Sequence, residues 1–258
     1  MTNLAEETRD SLVTLAHGIS VAVRVQGEGD PLLLLNGFTR SLENWGTFVD
    51  ELPGRMIISF DSPGVGDSPV PRLPLSIAHL ADVAASVLDH LGVARADVLG
   101  FSYGGFVAQQ MAVSHPGRIR RLVLVSTSCG LGSTFGKVDP LERAVLGKGA
   151  TEWPHVLGAL WNSMAFATWS SISFLGAIDS PTLVVCGSDD TVAPPANSRS
   201  LAQRIPDASL VMIEGGHDLQ LAEPATRLAK VVDRFLVRED KTPHSTATND
   251  VALSKEMI

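Results

Sequence analysis

Three side chains far apart in the chain have the types that nucleophilic acyl chemistry requires. Ser102 stands in Gly100-Phe101-Ser102-Tyr103-Gly104, between the apolar run that ends at Leu99 and an apolar, helix-like segment. A serine between two glycines at a strand-to-helix switch is held in a sharp, strained turn. The turn pushes its hydroxyl outward, and the missing Cβ atoms let strand and helix close around the bend. A serine hydroxyl attacks a carbonyl only when a neighbour takes its proton. His217, in Glu214-Gly215-Gly216-His217-Asp218, follows the last strand-like run on a glycine-flanked loop that lets an imidazole reach back over a sheet edge. The other histidines have plainer settings: His17 in a turn, His79 and His90 on one helix, His115 before a proline, His155 in an insertion and His244 near the end. A histidine base in turn needs a carboxylate to set its tautomer and stabilise the imidazolium. Gly187-Ser188-Asp189-Asp190-Thr191-Val192-Ala193-Pro194 offers two. Asp190 is favoured as the third residue after the glycine, past the strand tip; Asp189, the alternative, then reads as a solvated loop charge.

The elements that must position these residues alternate short apolar runs with helical periods, the signature of a mostly parallel sheet. Strands are expected over 12–15, 19–25, 31–35, 55–60, 96–99, 122–125, 182–186 and 209–213. Pro31-Leu32-Leu33-Leu34-Leu35 is apolar throughout, as a strand covered on both faces should be. Helices are expected over 42–52, from Ile77 to Gly92 with Ser76 as cap, over 104–113, and over 219–237 as an amphipathic closing helix. Between 129 and 180 the rhythm breaks. That stretch holds Trp153, Trp161 and Trp169, three of the four tryptophans, and reads as a short helical cap over a site. Trp153, Leu157, Leu160, Trp161 and Met164 fall on one helical face. The cap tryptophans are candidate pocket-lining residues, or else the glue that fixes the insertion to the body. Residues 11–128 and 181–237 form the expected core, and the polar, pattern-poor residues 238–258 read as a disordered tail.

Composition narrows the partners. With 258 residues, 45% hydrophobic and 19% charged, the chain can build a large α/β core. A net charge of −8 argues against nucleic acid and against a polybasic membrane surface. No apolar run approaches the ~20 residues of a membrane span, and the polar start does not resemble a secretory leader, so a cytoplasmic protein is the expectation. Cys129 and Cys186 are too few for a disulfide framework. No metal-ligand cluster or phosphate-binding glycine loop is present, and neither metal nor cofactor is expected.

The order Ser102, Asp190, His217 resembles the α/β-hydrolase superfamily, as do the glycine turn around Ser102, both loops that carry the partners, and Asp61-Ser62-Pro63-Gly64-Val65-Gly66-Asp67-Ser68. Phe101-Ser102-Tyr103-Gly104-Gly105-Phe106-Val107-Ala108-Gln109-Gln110 and the run from Leu122 to Cys129 resemble the polyhydroxyalkanoate-depolymerase-like branch. The resemblance implies the α/β-hydrolase fold, a mostly parallel eight-stranded sheet flanked by helices with a short helical cap. It implies cleavage of a small-molecule acyl substrate, a carboxylic ester, thioester or lactone, through an acyl-enzyme. It also implies an oxyanion hole from the backbone N–H groups of Phe38 and Tyr103. Where the family usually has His-Gly, this chain has Asn36-Gly37. Asn36 either simply takes that place or donates to the substrate. The short cap and Asn36 leave a lyase or cyclase on the same scaffold as a second reading, and a non-catalytic ligand-binding protein as a third. An aspartate nucleophile of the epoxide-hydrolase or dehalogenase kind is disfavoured, because serine stands at 102.

Overall fold

The computed structural model describes residues 8–134 and 156–237. The tail expected over 238–258, and the part of the cap that carries Trp153 and His155, lie outside those residues. Eight strands form one sheet: β1 (Arg9–Thr14), β2 (Ser20–Gln26), β3 (Asp30–Leu35), β4 (Arg55–Phe60), β5 (Ala96–Phe101), β6 (Ile119–Val125), β7 (Thr182–Gly187) and β8 (Ala208–Ile213). Their spatial order is β1-β2-β4-β3-β5-β6-β7-β8. The β1–β2 and β2–β4 pairs are antiparallel and the pairs from β4 to β8 are parallel. Every expected strand is present. β6 begins three residues before the expected Leu122, because Arg120 and Arg121 interrupt its apolar pattern while their backbone stays in the strand.

The parallel strands are apolar throughout because each face of the sheet carries its own core. Leu33, Leu35, Ile58 and Val98 pack with helices α2 (Ile77–His90) and α3 (Tyr103–Ser114). Their strand neighbours Leu32, Leu34, Ile57 and Leu99 point the other way. They pack with the short helix α1 (Gly46–Asp50) and with Leu228, Val232 and Leu236 of the closing helix, Ala222–Leu236. As expected, Ser76 caps α2, its hydroxyl accepting from His79 N–H at 3.2 Å. Gly92 follows at φ +69°.

Three helices differ from the expectation. The single helix expected over 42–52 is a 3₁₀ turn, Leu42–Trp45, followed by α1. In that tighter coil residues three apart eclipse, so Leu42 and Trp45 both face the core. Helix α4 (Val156–Ala167), within the expected cap, meets Phe38, Gly64 and Tyr103, which follow β3, β4 and β5. Helix α5 (Pro195–Arg204) is not among the expected helices; it starts on a proline, which fits the first helical position because no N–H is needed there. The closing helix, α6, starts at Ala222 rather than Leu219, since Pro224 is tolerated only in a first turn. Among the described residues, no helix is long and apolar enough to cross a membrane.

Candidate active site

β5 delivers Ser102 to the carboxyl edge of the sheet. Its φ of 50° and ψ of −114° lie in a region that non-glycine residues rarely occupy, and the strain turns the chain directly into α3. The bend is held by Ser102 N–H donating to Val125 O at 2.9 Å and by the Thr127 hydroxyl donating to Ser102 O at 2.7 Å. A Cβ on Gly104 would lie 2.0 Å from Leu35 O, and one on Gly100 would lie 2.5 Å from Gly104 O. Both glycines are therefore needed for close approach.

The loops after β7 and β8 bring the other two residues to the serine. His217 Nε2 lies 3.0 Å from Ser102 Oγ, and His217 Nδ1 lies 2.9 Å from Asp190 Oδ2 and 3.1 Å from Oδ1. Asp190 and His217 are both buried. Asp190 Oδ1 also accepts from the N–H groups of Val192 and Ala193 at 2.9 and 2.8 Å, which fixes its carboxylate plane. Asp189 is exposed beside Ser188. A base with one nitrogen on the serine and the other on a buried carboxylate can accept the hydroxyl proton and return it to a leaving group.

Tyr103 opens α3, where the first N–H groups lack intrahelical acceptors and can serve an anion. Phe38, on the loop after β3, reaches the same place; its ring lies 5.9 Å from that of Tyr103. Asn36 is turned onto its own loop. Its Nδ2 donates to Ser41 O at 2.6 Å and its Oδ1 accepts from Gly37 N–H at 2.8 Å. The side chain thus braces the loop that carries Phe38. Asp61 braces the same loop from below, accepting from Leu42 N–H at 2.7 Å and from Asp67 N–H at 2.9 Å. Burial raises the Asp61 carboxyl to about 6 against the opposing pull of those two N–H groups. Arg40, at the outer edge, donates to Asp218 at 2.7 Å and ties this loop to the histidine loop.

Of the cap tryptophans within the described residues, Trp161 donates its indole N–H to Pro71 O at 3.1 Å. Trp169 donates to Gln110 Oε1 at 3.1 Å and packs on Phe106 at 5.0 Å. Both anchor cap to body. Among the buried polar residues, Thr127 and Asn162 touch the residues around Ser102, and neither is assigned a role from the sequence. An asparagine inside a mostly apolar helical run, VLGALWNSMAFA, was the available signal for Asn162. Both cysteines are buried and free. Among the described residues no group of three His, Cys, Asp or Glu is placed to hold a metal ion.

Fold and site define a class. The pattern of the family described as "alpha/beta hydrolase fold" matches residues 30–154 and 153–224. The chain belongs to the α/β-hydrolase family and is an enzyme of that family. It is 35% identical over 241 residues to a poly(3-hydroxyalkanoate) depolymerase of Ectopseudomonas oleovorans, covering 81% of this chain and 85% of that protein. It is 31% identical to a 2-hydroxymuconate semialdehyde hydrolase of Pseudomonas putida, over 88% of this chain and 94% of the relative. Among solved structures, the enol-lactonase of Burkholderia xenovorans LB400 superposes with a TM-score of 0.79 at 26% identity, covering 88% of this chain and 100% of that one.

Proposed function

We propose that the chain is a serine hydrolase that cleaves a carboxylic ester with an apolar acyl group, using Ser102, His217 and Asp190 as nucleophile, base and orienting acid. The observation that carries this reading is the unbroken hydrogen-bonded line from Ser102 Oγ through both imidazole nitrogens to the buried Asp190 carboxylate. Ser102 Oγ attacks the carbonyl carbon while its proton passes to His217 Nε2. Asp190 holds the Nδ1–H and stabilises the imidazolium. The carbonyl oxygen becomes an oxyanion on the N–H groups of Phe38 and Tyr103. Collapse breaks the bond to the alcohol, which leaves with the proton from Nε2. Water then gives a proton to the same nitrogen and attacks the acyl-enzyme, releasing the acid and restoring the Ser102 hydroxyl.

The apolar preference follows from the rings beside the serine: Phe38, Tyr103, Phe106 and Phe166 lie within 6.2 Å of one another as neighbouring pairs. Helix α4, whose Phe166 packs on Phe38 and Tyr103, is the described part of the expected cap that lies against this surface. The names of the relatives, a polyester depolymerase, a semialdehyde hydrolase and an enol-lactonase, support hydrolysis at an activated or ester carbonyl. Asn36, with its amide engaged by Ser41 and Gly37, serves the loop and not elimination chemistry on the substrate. Ser102→Ala is expected to abolish turnover of p-nitrophenyl butyrate and labelling by a fluorophosphonate. Undiminished turnover or labelling in that variant would refute the reading.

A further inference from the structure

We propose that helix α4 is a working part of the oxyanion hole: Asn162 and Phe166, one turn apart on its inner face, hold the two donor residues Tyr103 and Phe38 in place. The proposal rests on the reading of Ser102 as the nucleophile. Asn162 is then a positioning residue, acting through Tyr103 rather than on the substrate.

The hydrogen bonds around Asn162 leave only one arrangement. Its Nδ2 donates to Gly158 O at 2.9 Å and to Pro63 O at 3.1 Å, so both amide hydrogens face carbonyl groups. Only Oδ1 remains for Tyr103, and because that atom only accepts, the phenol must donate to it, at 3.0 Å. Both residues are 4% exposed, so neither partner can be replaced by water without rearrangement. Four residues on, the Phe166 ring lies 5.8 Å from Phe38 and 5.9 Å from Tyr103, closing a triangle of edge-on rings. One helix face therefore touches the side chains of both residues whose backbone N–H groups receive the oxyanion.

The depth of α4 is itself fixed. Gly158 and Gly64 meet backbone to backbone; a Cβ on Gly158 would lie 2.0 Å from Gly64 O. The Pro63 carbonyl that binds Asn162 belongs to that same loop, and Trp161 pins the next stretch of it at Pro71. A hydrogen bond weakens steeply as its angle opens, so a small rotation of Tyr103 about the start of α3 degrades the hole while substrate still binds. A merely structural Asn162 would affect stability alone.

The experiment uses the full chain, p-nitrophenyl butyrate, a fluorophosphonate and three variants: Asn162→Leu, Tyr103→Phe and the double variant. Each single variant is expected to lower kcat about fivefold to twentyfold with KM held within about twofold, the pattern of an interaction made in the transition state. The rate of fluorophosphonate labelling should fall in proportion. The double variant should be no slower than the slower single one, because both remove the same bond. Tyr103 is the only tyrosine, so 3-fluorotyrosine labelling reports this one phenol, and its ¹⁹F resonance should shift in Asn162→Leu. If Asn162→Leu does not fold, Tyr103→Phe, which removes one hydroxyl, carries the kinetic test. An unmoved resonance, or wild-type kcat and labelling in the folded variants while the wild-type enzyme labels at Ser102, overturns the positioning role and leaves the nucleophile standing. A wild-type enzyme that neither turns over nor labels overturns both.

Discussion

The two ends of the sheet each bury a carboxylate, and they neutralise it in opposite ways. At the amino end Asp97, on β5, is fully buried; it receives two hydrogen bonds from Arg120, at 2.9 and 2.8 Å, and a longer one from Arg55 at 3.4 Å. At the carboxyl end Asp190 is nearly as buried, but its partners are an imidazole and two backbone N–H groups. A guanidinium remains charged throughout the working pH range, so the Asp97 cluster is a fixed tie of β5 to β6 through Arg120 and, across β3, to β4 through Arg55. An imidazole gains and loses a proton near neutrality, so the Asp190 pair can do chemistry. Burial alone therefore does not mark a working acid; the titratability of its partner does.

Replacing each acid should break the comparison in a different observable. Asp190→Asn is expected to lower kcat about ten-thousandfold with little loss of stability. The amide oxygen can still accept from Val192 and Ala193, but its nitrogen would donate to Nδ1 and leave the proton on Nε2, where a base is needed. Steady-state kinetics alongside urea unfolding checks both halves. Asp97→Ala should do the reverse. Removing the buried carboxylate should cost about 3 kcal/mol in urea unfolding, the low end for a broken buried pair because Arg55 keeps Asp233 at 3.5 Å and the part-exposed Arg120 keeps Asp30 at 3.2 Å, with kcat of the folded enzyme within about twofold of wild type.

A third buried acid sharpens the contrast with a smaller effect. Asp61 has backbone donors and, among the described residues, no cation bonded to it, and burial raises it from 3.8 to about 6. Between those values the native state holds a proton that the unfolded chain has lost, so the Asp61 contribution to stability falls as pH rises through the window and is greatest below it. Asp61→Asn removes this dependence. The melting temperature of the wild type relative to that variant should therefore climb as pH is lowered from about 7 to about 4; a constant difference would refute the raised carboxyl.

Much of this was legible from the chain. The run Leu32–Leu35 signals a strand buried on both faces because side chains alternate, and the two cores divide those leucines between them. The glycines around Ser102 signal a close bend because a missing Cβ is a local property. Helix α5 was not legible because its window Pro195–Arg204 is mostly polar; of its side chains only Asn197, Ser198 and Leu201 are buried. The tasks of Asn162, Asp97 and Asp61 were not legible, since the partners that define them, Tyr103, Arg120 and Leu42, lie in other elements.

The sequence by itself determined the strand rhythm, the strained turn at Ser102, and the loop settings of Ser102, Asp190 and His217, because these depend on side-chain type and short-range spacing. Only the tertiary structure decided that Asn36 braces its own loop, that Asp97 is held by arginines while Asp190 faces a histidine, and that α4 lies against Phe38 and Tyr103. Those outcomes depend on which hydrogen-bonding groups meet in space once water is excluded, and no local pattern encodes that meeting.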